Sequence, residues 1–175
     1  MKSKLEVVRD MIGKEYFTRH VGIEEETTEV ESIYRDIVEV TNELFAKIPW
    51  KIVFTVEDTY SSCKEMIERV EKEGILYIYS GGCEHPYYLP EENMKGRAVH
   101  DYFHILGAHP FSFLGEYNAY QAQKLFYPKH TWSVLFAEIP AQTAAYYVNG
   151  KNHNFQQRAI KAPLDWIQLM EMVTE

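Results

Sequence analysis

The sequence predicts an α+β fold that is mostly α-helical, a helical body with a small two-stranded element near residues 51–80. Apolar residues recur every three or four positions over most of the chain, which predicts amphipathic helices. Two short segments, 51–57 and 75–79, are instead rich in β-branched and aromatic residues. With 175 residues, of which 46% are hydrophobic, the chain suits one core better than two. We therefore expect a single domain over residues 1–175.

The first two predicted elements are helices. A short helix is expected from about residue 2 to residue 11, with Gly13 ending it. A longer helix over 28–46 keeps one face apolar along its length. Thr28 and Glu31 have the spacing of a capping box at its start. We interpret this second helix as scaffold, and we assign residues 1–80 to the scaffold part of the domain.

The next elements are the two strands and the helices that follow them. Strands over 51–57 and 75–79 flank a helix that Gly74 closes. This order predicts either a parallel βαβ unit or two strands at the edge of a helical body. Glycine and proline pairs make 80–93 a loop. The rest of the chain is predicted to be helical, near 96–107, 113–126, 131–149, 154–161 and 164–173.

Composition narrows the class of function. The 26 acidic residues outnumber 18 basic ones, giving a net charge of −8, so general binding to nucleic acid is not expected. Cys63 and Cys83 lie far apart without a C-x-x-C pair, which excludes a disulfide framework and an all-cysteine zinc site. No stretch has the length and apolar character of a membrane span or signal peptide. We expect a cytoplasmic protein with reduced thiols and no membrane partner.

The clearest chemical motif is RAVHDYFH, from Arg97 to His104. On a helix His100 and His104 share one face, where two imidazoles can bind the same metal ion. The motif is similar to the H-E-x-x-H zinc motif with Asp101 in place of glutamate. Because aspartate is shorter, we expect Asp101 to orient a histidine or to pair with Arg97, and it also remains a catalytic candidate.

Two later helices add isolated polar side chains. Glu116 opens one helix with Gln123 on the same face, and Glu138 and Gln142 are four apart in another, among apolar residues. A carboxylate in such a stretch is costly to bury unless it meets a cation, a hydrogen-bonding network or a metal. Imidazole and carboxylate together suit zinc, iron or manganese. Pro140 should kink the helix between Glu138 and Gln142.

Several residues of the predicted loops are further candidates for a functional site. Tyr87 and Tyr88 lie in the 80–93 loop, where they are expected to cover a pocket and stack on a planar ligand. His85 and His109 each precede proline in a loop; they either rim this pocket or are simply exposed. Cys83 has no neighbour that would activate it, and we interpret it as an idle thiol.

The ordered motifs resemble a family of uncharacterised proteins of tailed phages and prophages. NMKGRAVHDYFHI, FLGE, Glu138 with Gln142, and FQQRA match the family pattern R-A-x-H-D-x-x-x-H, G-E-x-x-A, E-x-x-G-Q and F-x-x-Q-[KR]-A. The second histidine follows the first by four residues rather than five, and Ala141 replaces the glycine. The resemblance covers roughly residues 85–163 and implies a shared polar centre and a host-cytoplasm setting, without a reaction. It singles out Arg97, His100, Asp101, Glu116, Gln123, Glu138, Gln142 and Gln157.

Together these observations predict a metal-dependent phage enzyme, a hydrolase or deaminase acting on a small or nucleotide-like substrate. The expected metal ligands are His100, His104 and Glu116, with zinc, iron or manganese as the ion. The expected catalytic residues are Glu138, Glu116 and Asp101. The expected substrate-binding residues are Arg97, Gln123, Gln142, Tyr87 and Tyr88. The alternatives are a phage protein that binds a small ligand or host factor in a metal-free polar pocket, and a purely structural polar network.

Overall fold

The computed structural model describes residues 2–18, 24–57, 59–150 and 158–175. The predicted α+β, mostly α-helical class is confirmed. The helices are α1 (Lys4–Thr18), α2 (Glu24–Phe45), α3 (Cys63–Glu73), α4 (Pro90–Gly107), α5 (Phe113–Gln123), α6 (Trp132–Phe136), α7 (Gln142–Asn149) and α8 (Leu164–Thr174). The strands are β1 (Lys51–Thr55) and β2 (Ile75–Tyr79). Short 3-10 turns cover Lys124–Phe126 and Lys129–Thr131, and a π-helical turn, Ala137–Ala141, joins α6 to α7.

The two strands form a parallel pair, which confirms the βαβ alternative. The register runs from Lys51 opposite Ile75 to Thr55 opposite Tyr79, with α3 as the connection. Gly74 ends α3 in the left-handed conformation, with φ of 66°, which glycine adopts without steric cost. The chain can therefore turn directly from α3 into β2.

Helix α1 does not end at Gly13 as predicted, but continues to Thr18. A Cβ atom on Gly13 would lie 2.3 Å from the carbonyl oxygen of Ala144 in α7. The glycine therefore allows the backbones of α1 and α7 to approach closely, and it does not mark a helix end.

Helices α2 and α4 both begin earlier than predicted. Because α2 starts at Glu24, Thr28 lies inside the helix and the predicted capping box is wrong. Helix α4 starts at Pro90, where a missing N–H costs nothing. The Glu92 carboxylate accepts the backbone N–H of Leu89 at 2.8 Å, which satisfies a free donor at the helix start.

The predicted helix over 131–149 is a helical run interrupted by the π-helical turn, which contains Pro140. The local disruption expected from this proline thus takes the form of a π turn. The predicted helix over 154–161 is wrong at 158–161, which is irregular, and residues 154–157 lie outside the described residues. Instead of helical bonds, the Ala162 N–H donates to the Ser133 carbonyl at 2.9 Å, and Pro163 disfavours helix just before it.

One hydrophobic core draws on residues from both sides of position 80. Helix α1 packs against α7 and α8, α2 packs against α4, and α4 packs against α5. Tyr16, Tyr34 and Trp166 are among the largest fully buried side chains, and both cysteines are buried free thiols. Within the described parts of the chain, no helix combines the length and apolar character required to cross a bilayer.

Candidate metal centre and adjoining cavity

His100, His104 and Glu116 converge where α4 meets the start of α5. The Nε2 atom of His100 lies 2.8 Å from Oε2 of Glu116, and that of His104 lies 3.3 Å from the same oxygen. The two Nε2 atoms are 3.1 Å apart. In residues 2–18, 24–57, 59–150 and 158–175, this is the one group of three or more such side chains with ligand atoms close enough to hold a metal ion.

The outer nitrogens of both imidazoles are occupied by oxygen acceptors. Nδ1 of His104 lies 2.9 Å from the carbonyl oxygen of His109, which can only accept, so this nitrogen must carry a proton. Nδ1 of His100 lies 3.0 Å from Oε1 of Gln123. Each ring in its neutral form therefore presents an Nε2 lone pair toward Glu116. Acceptors that fix the tautomer in this way are characteristic of histidine metal ligands.

The turn after α4 brings the acceptor to His104. Ala108 adopts φ of 47°, and its N–H donates to the carbonyls of His104 and Ile105. This left-handed cap reverses the chain, so that the next carbonyl, that of His109, lies against the His104 ring. The sequence predicted a helix that ends near residue 107, but the left-handed conformation of the turn was not apparent from it, because residue 108 is alanine and not glycine.

The start of α5 positions Glu116. Ser112 caps the helix, and its hydroxyl accepts the N–H of Gly115 at 3.2 Å. A Cβ atom on Gly115 would lie 1.8 Å from the Pro110 carbonyl oxygen, so the close approach of the turn requires glycine. Glu116 lies in the first turn, where the helix dipole favours a negative charge.

Without an ion, the electrostatics of the cluster favour a proton on His100 beside the Glu116 carboxylate. Burial alone would raise the pKa of Glu116, but the hydrogen bonds and charges of His100 and His104 hold it at about 2. Burial alone would lower the pKa of His100, yet the hydrogen bond to Glu116 and its charge raise it above the ordinary value. The site therefore attracts positive charge, which a metal ion or a protonated His100 can supply.

Gln123 links the cluster to α2. The Gln123 side chain is 3% exposed, and it hydrogen-bonds Tyr127 as well as His100. The Tyr127 hydroxyl lies 2.9 Å from Oγ1 of Thr41 on α2. This chain of buried hydrogen bonds restricts the orientation of the His100 ring.

A cavity of about 470 Å³ opens beside the cluster, a size typical of small-molecule sites. His100, Glu116, Gln123, Arg97 and Gln142 line it, whereas His104 and Asp101 do not. The buried His104 and the partly accessible His100 and Glu116 thus form a cluster with its open side toward the cavity.

Glu138 lies on the same cavity but outside the three-residue cluster. Its Oε1 atom accepts the Tyr34 hydroxyl hydrogen bond and lies 3.2 Å from Nε2 of His85. Of these two carboxylates, only Glu116 belongs to the group of described residues that could hold a metal ion.

His85 is not an exposed loop residue, because its side chain is 0% exposed. Its Nδ1 atom accepts the backbone N–H groups of Tyr87 and Tyr88, both at 3.1 Å. The proton must then be on Nε2, which donates to Glu138. The loop that carries Tyr87 and Tyr88 therefore surrounds the His85 ring and shields it from solvent.

Arg97 does not form the predicted ion pair with Asp101. Its guanidinium donates to the carbonyls of Tyr79, Gly81 and Gly82 at 2.9, 2.7 and 2.5 Å. These hydrogen bonds fix the position of residues 79–82, at and after the end of β2, a segment that forms part of the cavity wall. The sequence could not predict this partner for Arg97, because every residue carries a backbone carbonyl group.

The other four residues that the sequence singled out differ in their position relative to the cavity. Burial raises the pKa of Asp101 to about 6, and Asp101 does not line the cavity. Tyr88 lines the cavity, whereas Tyr87 packs against Tyr34 with ring centroids 5.5 Å apart and does not. Gln157 lies outside the described residues. The catalytic role of Asp101 and the binding roles of Tyr87 and Tyr88 remain predictions.

Sequence reasoning missed the contribution of α2. Tyr34 holds Glu138, and Ile37 and Thr41 line the cavity, so this helix is part of the site and residues 1–80 are not scaffold alone. The available signal was Thr41, a hydroxyl on an otherwise apolar face. It is 5% exposed, and its partner Tyr127 is distant in sequence.

Comparison with protein-family models, with curated proteins and with solved structures finds no match to this chain. The resemblance to phage proteins therefore rests on the motif series alone and stays a prediction. Conclusions about function depend on the geometry of the site.

Proposed function

We propose that this chain is a metal-dependent enzyme in which His100, His104 and Glu116 bind one divalent cation. The observation that carries the proposal is the arrangement of the two imidazoles. Their Nδ1 atoms face Gln123 and the His109 carbonyl, so both Nε2 lone pairs face one carboxylate. Two lone pairs 3.1 Å apart repel each other unless a metal ion or a proton lies between them.

The donor set limits the identity of the ion. Two histidines and one glutamate with an open side are the ligands of catalytic zinc sites and of the facial triad that binds iron. Zinc is the first candidate, and iron and manganese are the others. A bound divalent ion lowers the pKa of a coordinated water to about 7, which suits hydrolysis or deamination of a small substrate in the cavity.

The metal can be tested directly. Protein purified without a histidine tag should retain or take up one equivalent of metal per chain. Elemental analysis by inductively coupled plasma mass spectrometry measures this ratio. Chelation should lower the melting temperature, and zinc should restore it. The proposal would be contradicted if the purified protein contained no metal and its melting temperature changed with neither chelator nor zinc. Iron as the tightly held metal would favour oxidative over hydrolytic chemistry.

The reaction is tested with the loaded protein. Release of ammonia from small aminated heterocycles, and cleavage of chromogenic esters, amides and phosphate esters, cover the two reaction classes. We expect turnover that chelation abolishes and that Glu116→Gln removes. Glu91→Gln, at a carboxylate that pairs with Lys95 on the surface, is the matched control and should behave as wild type.

One observation favours a second function, a metal-free binding pocket. The His100 Nε2 and Glu116 Oε2 atoms, 2.8 Å apart, make a complete hydrogen bond once His100 is protonated. The cavity would then bind a small ligand without catalysis. An organic molecule that co-purifies in the absence of metal, detected by native mass spectrometry, would favour this alternative.

A further inference from the structure

The second polar group on the cavity is centred on Glu138, which the metal centre does not use. Tyr34 and His85 both contact the Oε1 atom of Glu138. Its Oε2 atom has no hydrogen-bond partner within the described residues and is not sealed from solvent. Because Glu138 lines the cavity, this oxygen is available to a bound molecule.

No cationic side chain of the described residues pairs with Glu138. The Nδ1 atom of His85 accepts two backbone N–H groups, so His85 contacts Glu138 as a hydrogen-bond donor through Nε2. Arg97, on the same cavity, is bound to three backbone carbonyls. The Glu138 side chain is only 13% exposed, so its charge has neither full hydration nor a cationic partner among the described residues. A carboxylate in such a position is stabilised by a cation that the ligand supplies.

The surroundings of Glu138 suit an organic cation. Gln142 is 9% exposed and lines the cavity, and its side-chain amide has no hydrogen-bond partner among residues that the structure describes. The amide oxygen can therefore accept from an ammonium group. Aromatic rings attract organic cations through their faces. The tyrosines that line the cavity are Tyr79, Tyr88, Tyr127 and Tyr146.

We infer that the cavity binds a molecule carrying a protonated amine, whose ammonium group pairs with Glu138 and Gln142. The inference rests on the proposed function, because the molecule is taken to be the substrate of the metal centre on the same cavity. It also changes the role of Glu138, which the sequence predicted to be catalytic. A carboxylate fixed by two donors and open at one oxygen is a binding group for a cation.

The test compares amines with alcohols of the same shape. The probes are benzylamine with benzyl alcohol, phenethylamine with phenethyl alcohol, and butylamine with butanol. Binding is measured by isothermal titration calorimetry on chelator-treated protein, so that no amine can bind through a metal. We expect at least one amine to bind about tenfold more tightly than its alcohol or better, as for close buried charge pairs.

Two variants locate the effect. Glu138→Gln keeps an oxygen for Tyr34 and His85, so it should fold normally and lose the preference for the amine. Glu68→Gln, at an exposed carboxylate on α3, is the matched control and should keep the preference. The inference is overturned if no amine binds at millimolar concentration, if amine and alcohol bind equally, or if the preference survives Glu138→Gln.

Zinc titration of the same samples separates this inference from the proposed function. Zinc binding without an amine preference overturns the inference alone. An amine preference without zinc binding overturns the proposed enzyme and leaves Glu138 as the centre of a ligand-binding pocket.

Discussion

The Nε2 atoms of His100 and His104 lie 3.1 Å apart, and hydrogen bonds at the opposite nitrogens hold both rings in this arrangement. A helix places residues i and i+4 on one face, but it does not orient their rings toward a common point. The acceptors that do so come from outside α4, from Gln123 and from the His109 carbonyl.

The first prediction concerns the ligands themselves. His104→Ala should reduce zinc affinity by more than the roughly 10–100-fold loss typical of an outer partner, because it removes a lone pair. Competition with a chromogenic chelator measures the affinity, and circular dichroism checks the fold. His130→Ala, at an exposed histidine that contacts Asp36, should bind zinc as wild type does. Unchanged affinity in both His104→Ala and Glu116→Gln would exclude this cluster as the metal site.

The second prediction concerns the orientation of His100. Gln123→Leu removes the acceptor of the Nδ1 proton, which frees the ring to rotate or change tautomer, and zinc affinity should fall roughly 10–100-fold. Gln123→Glu restores an acceptor and should recover most of the affinity. The control is Gln121→Leu, two residues away, where the amide contacts Tyr117. If Gln123→Leu and Gln121→Leu bind zinc equally, Gln123 has no positioning role.

The third prediction concerns the turn before α5. Gly115→Ala places a Cβ atom against the Pro110 carbonyl oxygen, so the start of α5 must move and carry Glu116 with it. We expect a loss of about 1–3 kcal/mol in the free energy of unfolding, together with weaker zinc binding. Urea denaturation and zinc titration measure the two effects.

Gly96→Ala is the matched control for this change, because nothing lies within 4 Å of its added Cβ atom. Alanine in the middle of a helix should raise the free energy of unfolding by roughly 0.5–1 kcal/mol. Equal stability of the two alanine variants would contradict the steric argument.

The fourth prediction concerns pH in the absence of metal. The folded pKa of Glu116, about 2 against an ordinary 4.5, gives stability above pH 4.5 that is lost as the pH falls toward 2. The raised pKa of His100 gives stability that is complete below its ordinary 6.5 and is lost as the pH rises through the folded pKa. The two contributions are therefore both present between pH 4.5 and 6.5.

Glu116→Gln removes this pairing in chelator-treated protein. Its cost in free energy of unfolding, on the order of 1–3 kcal/mol, should be largest in that window and smaller at both lower and higher pH. Denaturation at a series of pH values measures it. A cost that is constant with pH would show that the pair of His100 and Glu116 does not stabilise the fold through charge.

Much of the fold was predictable because helices and strands leave periodic patterns. The pair β1 and β2 was readable from two short β-rich segments and the glycine at 74, which lies in the left-handed conformation. Gly13 was misinterpreted as a helix end, because a glycine that ends a helix and one that admits a neighbouring helix look the same in sequence. The contact with Ala144 that separates these cases joins residues distant in the chain.

The sequence by itself determined that His100 and His104 share a helix face and that Glu116 opens the next helix, because both statements depend on local geometry. The tertiary structure alone decided which oxygen atom lies beside each imidazole and that Arg97 binds carbonyls and not Asp101. It also decided that Glu138 pairs with Tyr34 and His85, away from the cluster of His100, His104 and Glu116. These contacts join separate elements and involve backbone carbonyl and N–H groups, which every residue carries. Residue identity cannot specify them, and they are set by how the helices and loops pack.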